Sequence, residues 1–208
     1  MDRIFKRFGS SDHYGVQSAQ LKDSGNYSCE VKTFTTNVSK RSKMLPLQIK
    51  ELFSQPEIKL IQHPAVEGDH VTLTCDTSLS PLRPRTELQF AFHKDGQNIQ
   101  RFGSSDQYGI QSAQLKDSGN YCCEVKTFTT NVSKRSKLLP LQIKELFSQP
   151  EIKLIQHPAV EGDHVTLTCD TSLSPLRPRT ELQFAFHKDG QNIQRFGSSD
   201  HYGSSPLS

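Results

Sequence analysis

The chain has 208 residues, a net charge of +3 and a hydrophobic content of 33%. This mild charge gives no reason to expect a nucleic acid partner. No run approaches the roughly 18 apolar residues of a membrane-spanning helix, and residues 1–6 lack the apolar centre of a signal peptide.

The sequence repeats itself with a period of 94 residues. The run at 7–12 returns at 101–106 and again at 195–200. A period of this length corresponds to a whole domain rather than to one turn of a solenoid. The two full copies differ at only four positions, which are His13/Gln107, Val16/Ile110, Ser28/Cys122 and Met44/Leu138.

Short strands dominate the predicted secondary structure, and no segment shows a convincing helical period. Val71, Leu73 and Cys75 alternate onto one face of a strand, and the segment 88–92 alternates in the same way. The Asp-Gly pair at 95–96 predicts a hairpin turn, because these residues tolerate positive φ angles. About seven strands are expected in a sandwich of this kind, and six can be placed, at 57–61, 70–75, 88–92, 108–113, 119–125 and 137–143.

The strongest motif is the run at 117–123, which reads Asp-Ser-Gly-Asn-Tyr-Cys-Cys. Its Asp-x-Gly-x-Tyr-x-Cys spacing is typical of the immunoglobulin fold, where the tyrosine hydroxyl caps the backbone and the cysteine points into the core. Cys75 lies 48 residues before Cys123, on a strand with an inward apolar face. We therefore predict a disulfide between them. The alternative is a pair of unrelated thiols in a cytosolic protein, which the spacing at both ends disfavours.

The pattern predicts an all-β fold, an immunoglobulin-like β-sandwich whose repeat is cut in mid-domain. Residues 1–50 would be the late strands of one domain, 51–146 a complete domain, and 147–208 the early strands of a third. Residues 144–150 are the candidate boundary between repeats. Their Leu-Phe pair fits either a packed elbow between tandem domains or the start of the next strand.

Eight segments of the repeat share a sequence pattern with one receptor family. They are 67–69, 71–75, 79–84, 88–92, 94–97, 117–123, 132–136 and 139–143. Together they resemble the leukocyte Fc receptors and Fc-receptor-like proteins, and most closely the membrane-proximal third domain of the high-affinity IgG receptor. The cysteine and tyrosine framework indicates only an immunoglobulin domain. The Leu-Ser-Pro-Leu-Arg-Pro and Leu-Gln-Phe-Ala-Phe segments narrow the resemblance to this family.

Two departures from the family pattern concern the core and a thiol. The tryptophan that usually packs on the disulfide is missing, so Phe90 or Phe92 is expected in its place. Strand alternation sends Cys122 outward, opposite to Cys123, where it would be a free surface thiol. Such a thiol is either an intermolecular linker or a group without a role.

Each half domain carries a cysteine without its usual partner, Cys29 in the late strands and Cys169 in the early strands. Each half would also expose an apolar face and unpaired strand edges, which favours self-association. Because the halves are complementary, a composite domain closed by a Cys29–Cys169 disulfide could form within one chain or between chains.

Three asparagines stand in N-glycosylation triplets, namely Asn26, Asn37 and Asn131. Asn37 and Asn131 precede the last strand, where a glycan would stand in solvent. Asn26 lies at a strand edge, and in the second copy the change to Cys122 removes that triplet.

The sequence shows no motif of catalytic residues. The eight histidines lack metal-ligand spacing, and there is neither a nucleophile elbow nor a phosphate-binding glycine loop. We expect no enzymatic activity, no cofactor and no metal.

The loop at 126–131 is the candidate ligand-binding surface. Fc receptors grip their ligand with loops at one end of a domain, and in an interface of that kind Phe128 would be an aromatic anchor. The family's ligand grip lies mainly in a different domain from the one that this repeat resembles, so no contact residue is carried over from the family. Lys126, Arg83 and Arg85 would be basic contacts. The alternative is a solvated charged face with Phe128 folded back onto the sheet.

The resemblance implies an extracellular recognition fragment of a cell-surface immune receptor. Its partner would be a protein, either immunoglobulin Fc or another immune ligand. The alternative is a spacer or adhesion repeat that binds no ligand and holds a distal domain away from the membrane.

Overall fold

A computed structural model describes residues 13–33, 35–36, 38–130, 132–155 and 158–203. They form an all-β protein, as predicted, with two short 3-10 turns at Leu21–Asp23 and Leu115–Asp117.

The strands follow the repeat. Residues 13–50, the N-terminal segment, contain β1 (Gly25–Tyr27), β2 (Glu30–Lys32), β3 (Ser39–Arg41) and β4 (Leu45–Leu47). Residues 51–146, the central repeat, contain β5 (Glu57–Leu60), β6 (Ala65–Val66), β7 (Val71–Asp76), β8 (Leu88–Lys94), β9 (Gln97–Gly103), β10 (Gln107–Ile110), β11 (Gly119–Thr127), β12 (Ser133–Arg135), β13 (Leu139–Leu141) and β14 (Ile143–Lys144). Residues 147–203, the C-terminal segment, contain β15 (Glu151–Leu154), β16 (Thr166–Asp170), β17 (Phe184–Lys188), β18 (Gln191–Gly197) and β19 (His201–Gly203).

All six strands placed from the sequence are present, and the predicted hairpin turn is confirmed. Asp95 and Gly96 have φ angles of 48° and 83°, the left-handed conformation that a tight turn requires. The sequence did not reveal β6 and β9. Strand β9 lies at the edge of its sheet and has a polar sequence without alternation, so it lacked the apolar signal of a half-buried strand.

The described chain divides into two compact units, the first made of the described residues within 13–59, 75–106 and 122–138. Its main sheet runs in the order β12-β11-β8-β9, and the N-terminal segment adds the antiparallel pairs β1–β4 and β2–β3. Phe92 is fully buried whereas Phe90 is half-buried, so Phe92 is the better occupant of the usual tryptophan position.

The second unit contains the described residues within 60–74, 107–121 and 139–203. It includes most of the three-stranded sheet β10-β7-β5, the parallel pair β14–β6, and the sheets of the C-terminal segment, β15-β16-β19 and β17–β18. Val71 and Leu73 alternate inward on β7 and are fully buried, as the sequence pattern predicted.

The predicted disulfide between Cys75 and Cys123 is present, with an S–S distance of 2.02 Å. It links β7 of the three-stranded sheet to β11 of the five-stranded sheet, which β13 completes by pairing with β11. A covalent link between strands of two antiparallel sheets is the defining feature of the immunoglobulin-like fold.

The tyrosine of the strongest motif caps the backbone as predicted. Its hydroxyl, on Tyr121, donates a hydrogen bond of 2.6 Å to the carbonyl oxygen of Asp117. In the N-terminal segment, the hydroxyl of Tyr27 makes the same 2.6 Å bond to the carbonyl oxygen of Asp23. The same bond thus forms in both copies of the motif, which indicates that the local sequence determines the corner.

Replacing Tyr121 with phenylalanine should lower the free energy of unfolding by about 1–2 kcal/mol, because the buried phenol loses its bond to Asp117. Urea unfolding followed by circular dichroism measures the change. Tyr27→Phe is the matched control, and an equal loss in that variant would contradict a specific role of the Tyr121 hydroxyl in the central repeat.

Candidate functional site

Two loops of the first unit lie side by side. One is 82–87, between β7 and β8, and the other is 128–130, directly after β11. The backbone N–H of Phe128 donates a 3.3 Å hydrogen bond to the carbonyl oxygen of Glu87. Thr129 lines two grooves, one shared with residues 82–87 and one shared with Gln89 and the end of β11. The structure thus brings together the two loops that the sequence suggested as a binding surface.

Phe128 is 69% exposed, so its ring is not folded back onto the sheet. It follows Thr127, the last residue of β11, whose hydroxyl bonds to the carbonyl oxygen of Thr130 and lies 2.7 Å from the hydroxyl of Thr130. These bonds close the turn around Phe128. The aromatic ring is consequently presented to solvent by a turn whose first and last residues, Thr127 and Thr130, are bonded to each other.

The basic residues of the predicted surface have different surroundings. Arg83 and Arg85 are exposed. The ammonium of Lys126 lies 4.0 Å from the centre of the Phe102 ring, a cation–π contact that orients it over β9. Sequence reasoning missed Phe102 because it did not predict β9, and it missed Thr129 and Gln89, which carry no signal of their own.

Residues 144–150, the predicted boundary between repeats, both form an elbow and begin the next repeat. Phe147 forms a β-bridge with Leu173, so it belongs to the following repeat. The half-buried Leu146 donates its N–H to the carboxylate of Glu67 in the central repeat, at 3.3 Å. The segment is therefore an elbow bonded to both repeats rather than a free tether.

A salt bridge strengthens this elbow. The guanidinium of Arg177, in the C-terminal segment, lies 2.7 Å from the carboxylate of Asp69 in the central repeat. Arg177 is the counterpart of Arg83 in the repeat. Arg83 therefore occupies a position that can be used for contact between successive repeats. The residue that corresponds to Arg85 in the C-terminal segment makes no such contact among the described residues.

Cys122 is a free thiol, as predicted, but the expectation that it lies on the surface is wrong. It does face away from Cys123, yet it is only 5% exposed, on a strand that has neighbouring strands on both sides. Burial raises the pKa of the Cys122 thiol, with a further rise from Glu124 and an opposing effect of Arg135. A buried thiol with a raised pKa is a poor intermolecular linker.

A polar cluster surrounds Glu124 on the same face of β11. Its carboxylate accepts bonds from Arg135 at 2.8 Å and from Ser133 at 2.8 Å. Burial by itself raises the pKa of Glu124, but the bonds from Arg135 and Ser133 outweigh it and the net pKa is lowered. The Nε2 atom of His93 is 3.4 Å from Glu124 but is not aligned for a hydrogen bond. The cluster is thus a structural ion-pair network in which the carboxylate stays charged.

The remaining predicted sites are only partly within the described residues. Cys29 is an exposed free thiol and Cys169 a partly exposed one, so the Cys29–Cys169 bond is not formed in this structure. Asn26 is exposed on β1. Asn37 and Asn131 lie outside the described residues.

Within the described ranges, no group of three or more His, Cys, Asp or Glu side chains is arranged to hold a metal ion. The same part of the chain contains no helix with the length and apolar character needed to cross a membrane.

Comparison with known proteins gives a consistent result. A family model for the immunoglobulin domain matches residues 55–143. Fc receptor-like protein 6 of Homo sapiens is 34% identical over 197 residues, which cover 89% of this chain and 44% of that protein. Fc receptor-like protein 3 of Homo sapiens is 30% identical over 176 residues, covering 82% of this chain and 23% of that protein.

Among solved structures, the second Ig-C2 domain of human Fc-receptor like A is 29% identical and covers 44% of this chain and 98% of that one. Its TM-score is 0.38, too low to add to the sequence match. The chain spans less than half the length of the two curated relatives named above.

Proposed function

Because this chain belongs to the immunoglobulin superfamily as an Fc receptor-like protein, we propose that its central repeat binds a protein ligand through the loops 82–87 and 126–130. The relatives are receptors and not enzymes, so the function to explain is recognition. Their names make immunoglobulin Fc the first ligand to test. In this proposal the full-length protein acts at the cell surface.

The proposal rests on one observation. The ring of Phe128 is exposed at the tip of a loop that is closed by the contact between Thr127 and Thr130. Exposed aromatic side chains of fixed conformation are the usual anchors of protein interfaces, because they bury a large apolar area at a low entropic cost. The adjacent Arg85 adds a positive charge for an acidic patch on the ligand.

The proposal predicts that Phe128→Ala weakens ligand binding by roughly thirtyfold, the loss expected for an interface hot spot. Surface plasmon resonance of the 208-residue chain over immobilised IgG Fc measures this effect. Arg85→Ala should weaken binding and its salt dependence, whereas Arg83→Ala should have a smaller effect.

Leu138→Ala is the matched control, since Leu138 is an equally exposed apolar residue between β12 and β13, away from the loops. If Phe128→Ala binds as tightly as Leu138→Ala, the loops are not the binding surface. If the unaltered chain gives no signal with Fc at micromolar concentration, Fc is not its ligand.

A second candidate function, a spacer that holds other domains of a receptor in position, is supported by the elbow. The Arg177–Asp69 salt bridge and the bond from Leu146 to Glu67 fix successive repeats to each other. A spacer requires such joints and no ligand. The absence of any measurable partner, together with intact joints, would favour it.

A further inference from the structure

The segments 20–32 and 114–126 differ at one position only, and that position belongs to an asparagine triplet. Residues 26–28 read Asn-Tyr-Ser, and residues 120–122 read Asn-Tyr-Cys. The N-x-Ser/Thr acceptor pattern of N-glycosylation is thus present in the first copy and altered in the second. The alteration replaces one side-chain oxygen atom by sulfur and leaves the rest of the segment identical.

The backbone around the two asparagines is paired in the same way. Asn26 on β1 lies opposite Pro46 of β4, and Asn120 on β11 lies opposite Pro140 of β13. Both asparagines are exposed. The folded central repeat therefore keeps Asn120 at the surface, in the same local structure as the asparagine of the unaltered triplet.

Cys122 provides a free thiol in the third position of the altered triplet. The neighbouring Cys123 forms the disulfide with Cys75, and Cys122 takes no part in it. The acceptor pattern requires a hydroxyl side chain two residues after the asparagine, and a hydroxyl both donates and accepts hydrogen bonds. A thiol in the same place does both more weakly. The Asn-Tyr-Cys triplet thus retains a weaker form of the same chemistry.

We propose that Asn120 is an N-glycosylation site of partial occupancy, in which the Cys122 thiol takes the place of the hydroxyl. The sugar donor is a lipid-linked oligosaccharide diphosphate. The bond between the anomeric carbon and the diphosphate oxygen breaks, and a bond from the anomeric carbon to the Asn120 side-chain nitrogen forms. The lipid diphosphate leaves with the electron pair, and the nitrogen loses one proton. The reaction requires entry into the secretory pathway, so it rests on the cell-surface location proposed above.

The burial of Cys122 limits when the transfer takes place. The residue is 5% exposed, on a strand that has neighbouring strands on both sides. A transferase that must reach the thiol acts only before β11 pairs with these strands. Transfer to Asn120 therefore competes with folding of the central repeat, and only some of the chains carry the glycan.

A glycan on Asn120 lies away from the proposed ligand surface. Asn120 is the second residue of β11, whereas Phe128 follows the last residue of this strand. The glycan and the loop that carries Phe128 are thus at opposite ends of one strand. Glycosylation at Asn120 and ligand binding by the loops are consequently separate properties, and each can be tested without the other.

Site occupancy in the 208-residue chain tests the proposal. The chain is expressed in mammalian cells behind an added secretion leader, and the total protein is reduced, alkylated and digested with trypsin. A glycosidase that converts glycosylated asparagine to aspartate then acts in oxygen-18 water, so that mass spectrometry counts the occupied sites. The peptides 23–32 and 117–126 differ in mass because of Ser28 and Cys122. Asn26 therefore reports transfer in the same molecules.

Asn120 should be occupied, at a level about fivefold below that of Asn26, the effect of weakening roughly one hydrogen bond. Two substitutions of similar shape isolate the group at position 122. Cys122→Thr should raise the occupancy of Asn120 about fivefold, because it restores the hydroxyl. Cys122→Val should abolish it, because a methyl group replaces that hydroxyl. Since the transfer precedes folding, these results do not depend on how well either side chain packs.

An empty Asn120 beside an occupied Asn26 would show that the thiol is not accepted, and would overturn the proposal. Occupancy that persists in Cys122→Val would also overturn it, because the transfer would not depend on the third residue of the triplet. If Asn26 and Asn120 are both empty, the chain is not a substrate and the proposal fails too. None of these outcomes bears on ligand binding by the loops, which is measured separately.

Discussion

Replacing Cys75 and Cys123 together with alanine is expected to lower the free energy of unfolding of the central repeat by about 4 kcal/mol. The bond closes a loop with a sequence separation of 48 residues, and without it the unfolded chain gains the conformational entropy of that loop. A whole domain is usually stable by only about 5–15 kcal/mol. The double variant should therefore keep only about 1–11 kcal/mol of that stability.

Urea unfolding of oxidised and reduced protein, followed by circular dichroism, measures this effect. Cys29→Ala is the matched control, because Cys29 is the counterpart of Cys123 but is a free, exposed thiol. It should leave the unfolding curve unchanged. A double variant as stable as the control would mean that the sulfur bridge is not a main source of stability.

The second large effect is expected at Phe53, with Phe147 as its counterpart in the next repeat. Phe53 is 1% exposed and Phe147 is 40% exposed. In the central repeat, the ammonium of Lys134 lies 5.3 Å from the Phe53 ring and donates a 2.5 Å bond to the Phe53 carbonyl oxygen. Lys134 belongs to β12, whose counterpart is not part of the C-terminal segment.

Phe53→Ala should cost about 3–5 kcal/mol of unfolding free energy, the loss typical of a buried phenylalanine. Phe147→Ala should cost about 1 kcal/mol or less, because the ring is already largely hydrated. The two variants change the same residue in the same local sequence. Equal losses in urea unfolding would contradict the view that β12 provides the covering contact.

Local sequence was sufficient for the elements whose signal lies within a few residues. The Asp-Gly turn, the alternation on β7 and the tyrosine corner were all predicted, because each follows from backbone preference or from hydrogen bonds between near neighbours. The corner formed by Tyr27 supports this, since the same local sequence makes the same 2.6 Å bond in both copies.

Spatial neighbours decided what local sequence could not. Cys122 has the outward orientation that alternation predicts, yet it is buried, on a strand that has neighbouring strands on both sides. The order β12-β11-β8-β9 is a property of the sheet, and no pattern within β11 reveals it. Phe102 reaches Lys126 for the same reason, because the contact joins residues of different strands.

For the proposed binding surface too, the sequence predicted one part of the arrangement and the structure provided the rest. The sequence indicated the two loops and their residues, including Phe128 and the arginines. It left open whether the ring of Phe128 packs on the sheet or stands in solvent. The turn closed by Thr127 and Thr130 decided this, and the Arg177–Asp69 pair showed that Arg83 can be used between repeats.

The sequence by itself determined the kind of fold, the disulfide partners and the repeat, because these follow from alternation, spacing and identity along one chain. The tertiary structure alone decided which of two identical residues is buried, as for Val31 and Val125. Burial depends on strands that are distant in the sequence and pack over a residue in the folded protein. The residues next to it along the chain therefore do not determine whether it is buried.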